Sequence, residues 1–250
     1  MRRALLLAAV VITAACGGGG SSAPKVKPLQ QQGPLGSGPR QVWFYAAKGK
    51  PRSLVVFLHG YGGRVEETPA NHVDWLKHLA AEGSDVVYPR YEVDLSTNPY
   101  PDIDAALASA RRRLGNPHVP IVVIGYSRGG RLATDYSAWL AAHGHEPKLA
   151  LLVYPAVHAP GERLISLRSF DSRMRIVMMV GDKDNVVDGA GARVLLARLE
   201  LVGFPASRIK LMVIKSTRTF KATHGSILGA RPGAKAEIWK PADNLIDSVR

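Results

Sequence analysis

The sequence predicts an α/β fold: one mostly parallel central sheet of about seven to eight strands, flanked by helices on both faces. Three observations predict it. Past residue 40 there are seven short apolar runs, rich in Val and Ile and nearly continuous rather than alternating, as strands are when both faces of a sheet are covered. Amphipathic segments of helical spacing separate most of these runs. The alternation of the two is the mark of βαβ units, and hence of parallel pairing.

The expected strands are 42–46, 54–58, 85–88, 121–124, 149–154, 174–180 and 209–214. Between them, Thr68-Pro69 offers a helix start, Val73, Leu76, Leu79 and Ala80 form a stripe, and Gly83 follows the end. Ile103, Ala106, Leu107, Ala110 and Leu114 make a second helix closed by Gly115. Leu132, Ala133, Tyr136, Trp139 and Leu140 mark a third, and Val194 to Leu201 a fourth, closed by Gly203. In such a sheet the functional groups gather at the carboxyl ends of the strands.

The first 39 residues follow other rules. Arg2-Arg3 precede an apolar stretch from Ala4 to Ala15, which reads as a secretory signal too short to span a membrane. Ala14-Ala15-Cys16-Gly17 resembles the lipobox of bacterial lipoproteins, although Thr13 stands where Leu, Val or Ile is usual. The resemblance implies lipidation of Cys16, the one cysteine of the chain, and a domain anchored to a membrane in the cell envelope. Residues 16–39, rich in Gly, Pro and Ser, are expected to be a flexible tether, leaving 40–250 as one domain. With a single cysteine, no intramolecular disulfide and no Cys-type metal site can form. The net charge is +13, with Lys and Arg spread along the chain and densest at Arg111-Arg112-Arg113. Anionic neighbours suit that balance, but its spread reads as a solvated basic surface, so no nucleic-acid partner is expected.

Chemistry enters at Ile121-Val122-Val123-Ile124-Gly125-Tyr126-Ser127-Arg128-Gly129-Gly130. A Gly-x-Ser-x-Gly alone says little: in this composition chance yields ~0.16 of them. Its context says more, because an apolar strand precedes it and an amphipathic helix follows. A nucleophile raised on so sharp a turn cannot tolerate side chains two positions either way, and Gly125 and Gly129 remove them. The helix N-terminus would face developing negative charge.

Residues 40–250 therefore resemble the α/β-hydrolase fold. The resemblance implies a serine hydrolase with Ser127 as nucleophile and, in chain order, an acid and then a histidine. Gly181-Asp182-Lys183-Asp184 is similar to the family's acid turn and favours Asp184, with Asp182 as rival and Asp188 as a helix cap. His224 is the one histidine that follows the acid. His59-Gly60-Tyr61-Gly62-Gly63 resembles the family's oxyanion loop, which implies the N–H groups of Tyr61 (or Gly62) and Arg128 as donors, with His59 bracing the loop. No cofactor or metal is implied.

The implied reaction is cleavage of a carboxylic ester, of a small molecule or lipid, through an acyl-enzyme. A peptidase or amidase, or an acyltransferase, could share the same three residues. A non-catalytic envelope-binding lipoprotein is the alternative from another class. The short stretch from Pro155 to Arg173 leaves little or no lid. The final helix, Trp239 to Arg250, looks shorter than the family's.

Overall fold

A computed structural model of the chain describes residues 26–61, 67–91, 97–115, 117–162, 164–170 and 173–250. Cys16 and the expected signal segment lie outside the described residues. The sheet has eight strands, in the order β1-β2-β4-β3-β5-β6-β7-β8. They are β1 (Gln32–Leu35), β2 (Val42–Tyr45), β3 (Ser53–Leu58), β4 (Ser84–Pro89), β5 (Ile121–Tyr126), β6 (Leu149–Val153), β7 (Arg175–Gly181) and β8 (Ile209–Ile214). β1 and β2 run antiparallel to their neighbours, and every pairing from β4 through β8 is parallel. The seven expected strands are all present.

The helices are α1 (Val73–Ala81), α2 (Tyr100–Arg113), α3 (Arg128–Ala142) and α4 (Ala190–Leu201), followed by a final helical stretch. Alternation of side chains along each strand sorts the core into two layers. Val56, Leu58, Val123 and Leu152 pack with Ile103, Leu132, Tyr136 and Leu195 of α2, α3 and α4. Val55, Phe57, Val122 and Ile124 pack with Trp75 and Leu79 of α1 and with Ile238 and Trp239 of the final helix. The central strands β3 and β5 are buried along their whole length, which is why their sequences are apolar without a break.

Two boundaries differ from expectation. The tether does not extend to residue 39, because Gln32–Leu35 forms β1 and pairs with β2. Gly and Pro hide this strand from pattern reasoning. Pro34 is tolerated because β1 is an edge strand, and Gly33 takes φ +100° with its Cα side against the Val42 carbonyl. The final helix is also longer than expected. It runs through α5 (Pro232–Ala234), a π-helical turn (Lys235–Trp239) and α6 (Lys240–Asp247). Pro241 lacks the N–H that an α-helix needs there, and the wider turn before it absorbs the misfit. This helix does cover the sheet behind the His224 segment, with Ala234, Ile238, Trp239 and Ile246 buried.

Candidate active site

Ser127 stands between β5 and α3 with φ 54° and ψ −118°, a conformation costly for any residue with a side chain. The surrounding backbone holds it there. The Ser127 N–H donates to the Val153 carbonyl at 2.9 Å, and the Ser127 carbonyl accepts the Ala156 N–H at 3.0 Å. The glycines beside it are sterically compulsory: a Cβ on Gly125 would lie 2.0 Å from the Gly129 carbonyl oxygen, and one on Gly129 2.1 Å from that of Leu58. Tyr91 and Tyr154, at the ends of β4 and β6, also have positive φ, 39° and 50°. Strain is thus gathered at the carboxyl edge of the sheet, around Ser127.

His224 comes to Ser127 from 97 positions away, with its Nε2 2.9 Å from the serine Oγ. Its Nδ1 lies 2.9 Å from Asp184 Oδ2. The other Asp184 oxygen accepts the N–H groups of Val186 and Val187 at 3.0 and 3.2 Å. Those two donors fix the carboxylate, whose side chain is 1% exposed against 15% for His224. The histidine is held from behind as well. Tyr126 donates its hydroxyl to the His224 carbonyl at 3.0 Å, and its ring lies 5.2 Å from the imidazole. The Tyr154 hydroxyl meets Ser226 Oγ at 2.9 Å, and burial pushes that phenol up to about 12.

Asp182, the rival acid, is exposed and does not meet His224. It accepts the N–H and hydroxyl of Ser216 at 2.9 and 2.6 Å, and Ser216 Oγ in turn accepts the Ala222 N–H at 3.0 Å. The Ser216 hydroxyl holds the Asp182 carboxyl below its ordinary range. Asp182 therefore ties down the segment that carries His224. Asp188 does not cap α4 either: Gly189 precedes the helix, and the Asp188 carbonyl accepts from Arg193 at 2.8 Å. Its φ of 46° turns it out of capping geometry.

On the oxyanion side, Gly60 lies against Ser127, since a Cβ there would sit 3.3 Å from the serine Cβ. Tyr61 follows it and is 62% exposed, and Gly62 lies outside the described residues. His59 is buried beneath this turn, stacked 4.1 Å from Tyr91, with its ring nitrogens 2.7 and 2.8 Å from the carbonyls of Gly60 and Arg90. The Arg128 N–H is in the first turn of α3, where a helix has no internal acceptor to offer.

Sequence reasoning passed over Glu162. Its Oε1 accepts from Arg128 Nε at 3.1 Å and from Arg131 Nη2, and its Oε2 accepts the Ala159 N–H at 2.6 Å. Glu162 thereby fastens the segment after β6 to the first turn of α3. Its partners stand 31 and 34 positions away, so no local pattern could have marked it.

Similarity to known proteins bears on the fold. No curated protein matches the chain significantly by sequence. Among solved structures, it superposes on a thermophilic esterase of Thermogutta terrifontis at 20% identity and TM-score 0.60, covering 90% of this chain and 95% of that one. Carboxyl esterase 2 of Tuber melanosporum gives 18% and 0.62 over 84% and 83%. A monoglyceride lipase of Saccharomyces cerevisiae gives 12% and 0.62 over 89% and 96%. Residues 55–185, just over half of the sequence, match the family described as alpha/beta hydrolase fold. The strand order, the turn at Ser127 and that match together place the chain in the α/β-hydrolase fold family.

Proposed function

We propose that the protein is a serine hydrolase of carboxylic esters, with Ser127 as nucleophile, His224 as general base and acid, and Asp184 as the group that orients His224. The observation that carries this reading is the unbroken chain from Ser127 Oγ to His224 to Asp184, 2.9 Å at each step, on a strained turn. A serine hydroxyl attacks a carbonyl only when a base takes its proton, and the base needs a fixed tautomer. Asp184, locked by two backbone N–H groups, accepts Nδ1–H and leaves Nε2 to receive the serine proton.

In the first half-reaction Ser127 Oγ bonds to the ester carbonyl carbon while its proton passes to His224. The carbonyl oxygen becomes an oxyanion facing the N–H groups of Tyr61 and Arg128. Collapse expels the alcohol, which takes the proton from His224. Water then repeats the sequence on the acyl-enzyme, releasing the carboxylic acid and restoring Ser127. Each oxyanion donor is worth about 3 kcal/mol of transition-state stabilisation.

Esters are favoured over amides by the company of esterase and lipase folds. A fluorophosphonate probe should label the protein and fail to label Ser127→Ala; equal labelling of both ends the reading. Hydrolysis of p-nitrophenyl esters should exceed that of matched p-nitroanilides, and the reverse order would make it an amidase. Added acceptor alcohols that divert the acyl group would make it a transferase.

The N-terminal segment supports a second, independent proposal: Cys16 is lipidated and the domain is tethered to a membrane of the cell envelope. Mass spectrometry of the protein from a bacterial host should find a diacylated Cys16 as the first residue. An unmodified N-terminus downstream of it refutes the anchor.

A further inference from the structure

Far from Ser127, one cleft gathers basic side chains that the proposed reaction does not use. Its volume is 510 Å³. Arg111 and Arg112 reach it from the last turn of α2, His118 from the segment leading into β5, and His145 from the segment leading into β6. The buried side chains of Leu107 and Leu140 also line it. β5 and β6 begin at this end of the sheet, whereas Ser127 follows the carboxyl end of β5. The six residues of β5 therefore separate cleft and serine by about 20 Å.

Capping the helix does not account for the charge. The carboxyl end of a helix carries only about half a negative charge, and one cation satisfies it. α2 ends on three, Arg111, Arg112 and Arg113. Asp104 is the one carboxylate among the described residues that line the cleft, beside two arginines and two histidines. Arg112 gives one N–H to Ser109 at 3.2 Å, which turns its guanidinium back along the helix, and Arg111 lines the same cleft. Two neighbouring guanidinium forks suit an oxyanion with several acceptor oxygens, and imidazole groups from two other segments add donors from other directions. A planar carboxylate has two oxygens to offer such a set, while a phosphoryl group has at least as many acceptors as three segments can address.

We propose that this cleft binds a phosphoryl group, held by Arg111 and Arg112 and completed by His118 and His145. The chemistry is common to a phospholipid headgroup and to soluble phosphate. Because the cleft lies at the end of the sheet away from Ser127, whatever carries the phosphate leaves the serine accessible.

The full chain is titrated with inorganic phosphate by calorimetry, and sedimented with phosphatidylcholine vesicles with and without phosphatidylglycerol. Arg112→Met and Arg113→Met remove the same charge from adjacent, exposed positions, but Arg112 lines the cleft and Arg113 does not. Arg112→Met should weaken binding about tenfold, Arg113→Met less than about twofold, and Arg112→Lys should recover part of the loss. Binding to phosphatidylglycerol vesicles alone identifies the headgroup as ligand, and binding of inorganic phosphate identifies the soluble form; either supports the site. Failure of both probes overturns it. Equal losses in Arg112→Met and Arg113→Met overturn it too, because diffuse surface charge then explains the binding. None of these readouts depends on Ser127 being a nucleophile.

Discussion

Asp184→Asn separates the charge of the acid from its shape. In the protein, Asp184 Oδ1 accepts two backbone N–H groups and Oδ2 faces His224 Nδ1. An asparagine fits the same space, but its two ends differ. The backbone donors of Val186 and Val187 demand the amide oxygen, which forces the NH₂ group toward His224. Nδ1 must then be the acceptor, so the ring proton moves to Nε2, and Nε2 can no longer take the proton of Ser127. The wrong tautomer costs about 10⁴ in kcat where such a substitution leaves geometry intact, or about 5.4 kcal/mol of barrier. Folding should change little, since both backbone donors keep an acceptor. Asp184→Ala, by contrast, leaves those two buried donors unmet and should lower stability by about 1–3 kcal/mol for each. The assay is the second-order rate of fluorophosphonate labelling, paired with urea unfolding. Asp182→Asn is the control, since Asp182 reaches His224 only through Ser216 and Ala222, and it should slow labelling by about tenfold or less. If Asp184→Asn labels within tenfold of the parent protein, or Asp182→Asn loses as much, the assignment of the acid is wrong.

Three further outcomes follow from the geometry. Gly129→Ala drives a methyl group to 2.1 and 2.3 Å from the carbonyl oxygens of Leu58 and His59, and should cost at least about 3 kcal/mol, or leave the protein insoluble; a chemical-denaturation midpoint like the parent's would contradict the close approach. Glu162→Ala strips the shared partner from the buried Arg128 and Arg131 and should destabilise by about 3–5 kcal/mol, with Glu162→Gln recovering part of it, as scanning calorimetry would report. His78 bonds Asp243 at 2.9 Å, and that bond raises the imidazole above its ordinary value. Its contribution, about 1 kcal/mol, is complete below the unfolded-state value near pH 6.5 and disappears as pH rises through the higher folded-state value. Urea unfolding at pH 6 and pH 9 should show that loss in the parent and not in His78→Gln, and identical pH dependence in both would refute it.

Much of this could be read from the sequence, for a definite reason. Strands β3 and β5 are buried on both faces, so burial alone writes them as unbroken apolar runs. Ser127 is equally legible, because the close packing around it admits only glycine at 125 and 129. The preference for Asp184 over Asp182 came from the resemblance to the family's acid turn, not from their own surroundings. The two stand two positions apart on one turn, and only the path of the chain from Ile214 to His224 decides which one faces the imidazole. β1 and the final helix were obscured by Pro34 and Pro241, residues that usually end such elements and here sit at an edge and beside a π-turn. Glu162, Tyr126 and Tyr154 act through partners 31 to 98 positions away, and nothing in their own neighbourhoods announces it.

The two layers of the core are completed at different times as the chain emerges. On the side of α2, α3 and α4, each helix follows the strand it helps to bury. The other side receives α1 early, then Phe220, Ala222 and Ile227, and its last cover only with Ala234 to Ile246. Arg250 adds a distant fastening, donating to Ser53 at 3.3 Å and Ser84 at 3.0 Å across 197 and 166 positions. Until that region exists, one face of the sheet lacks the cover of Ile238, Trp239 and Ile246, and its sequence-distant contacts make closure slow. A truncation before Pro232 should therefore not yield a weakened enzyme. It should yield a sheet with an open greasy side, the kind of species that chaperones bind and that aggregates when they do not.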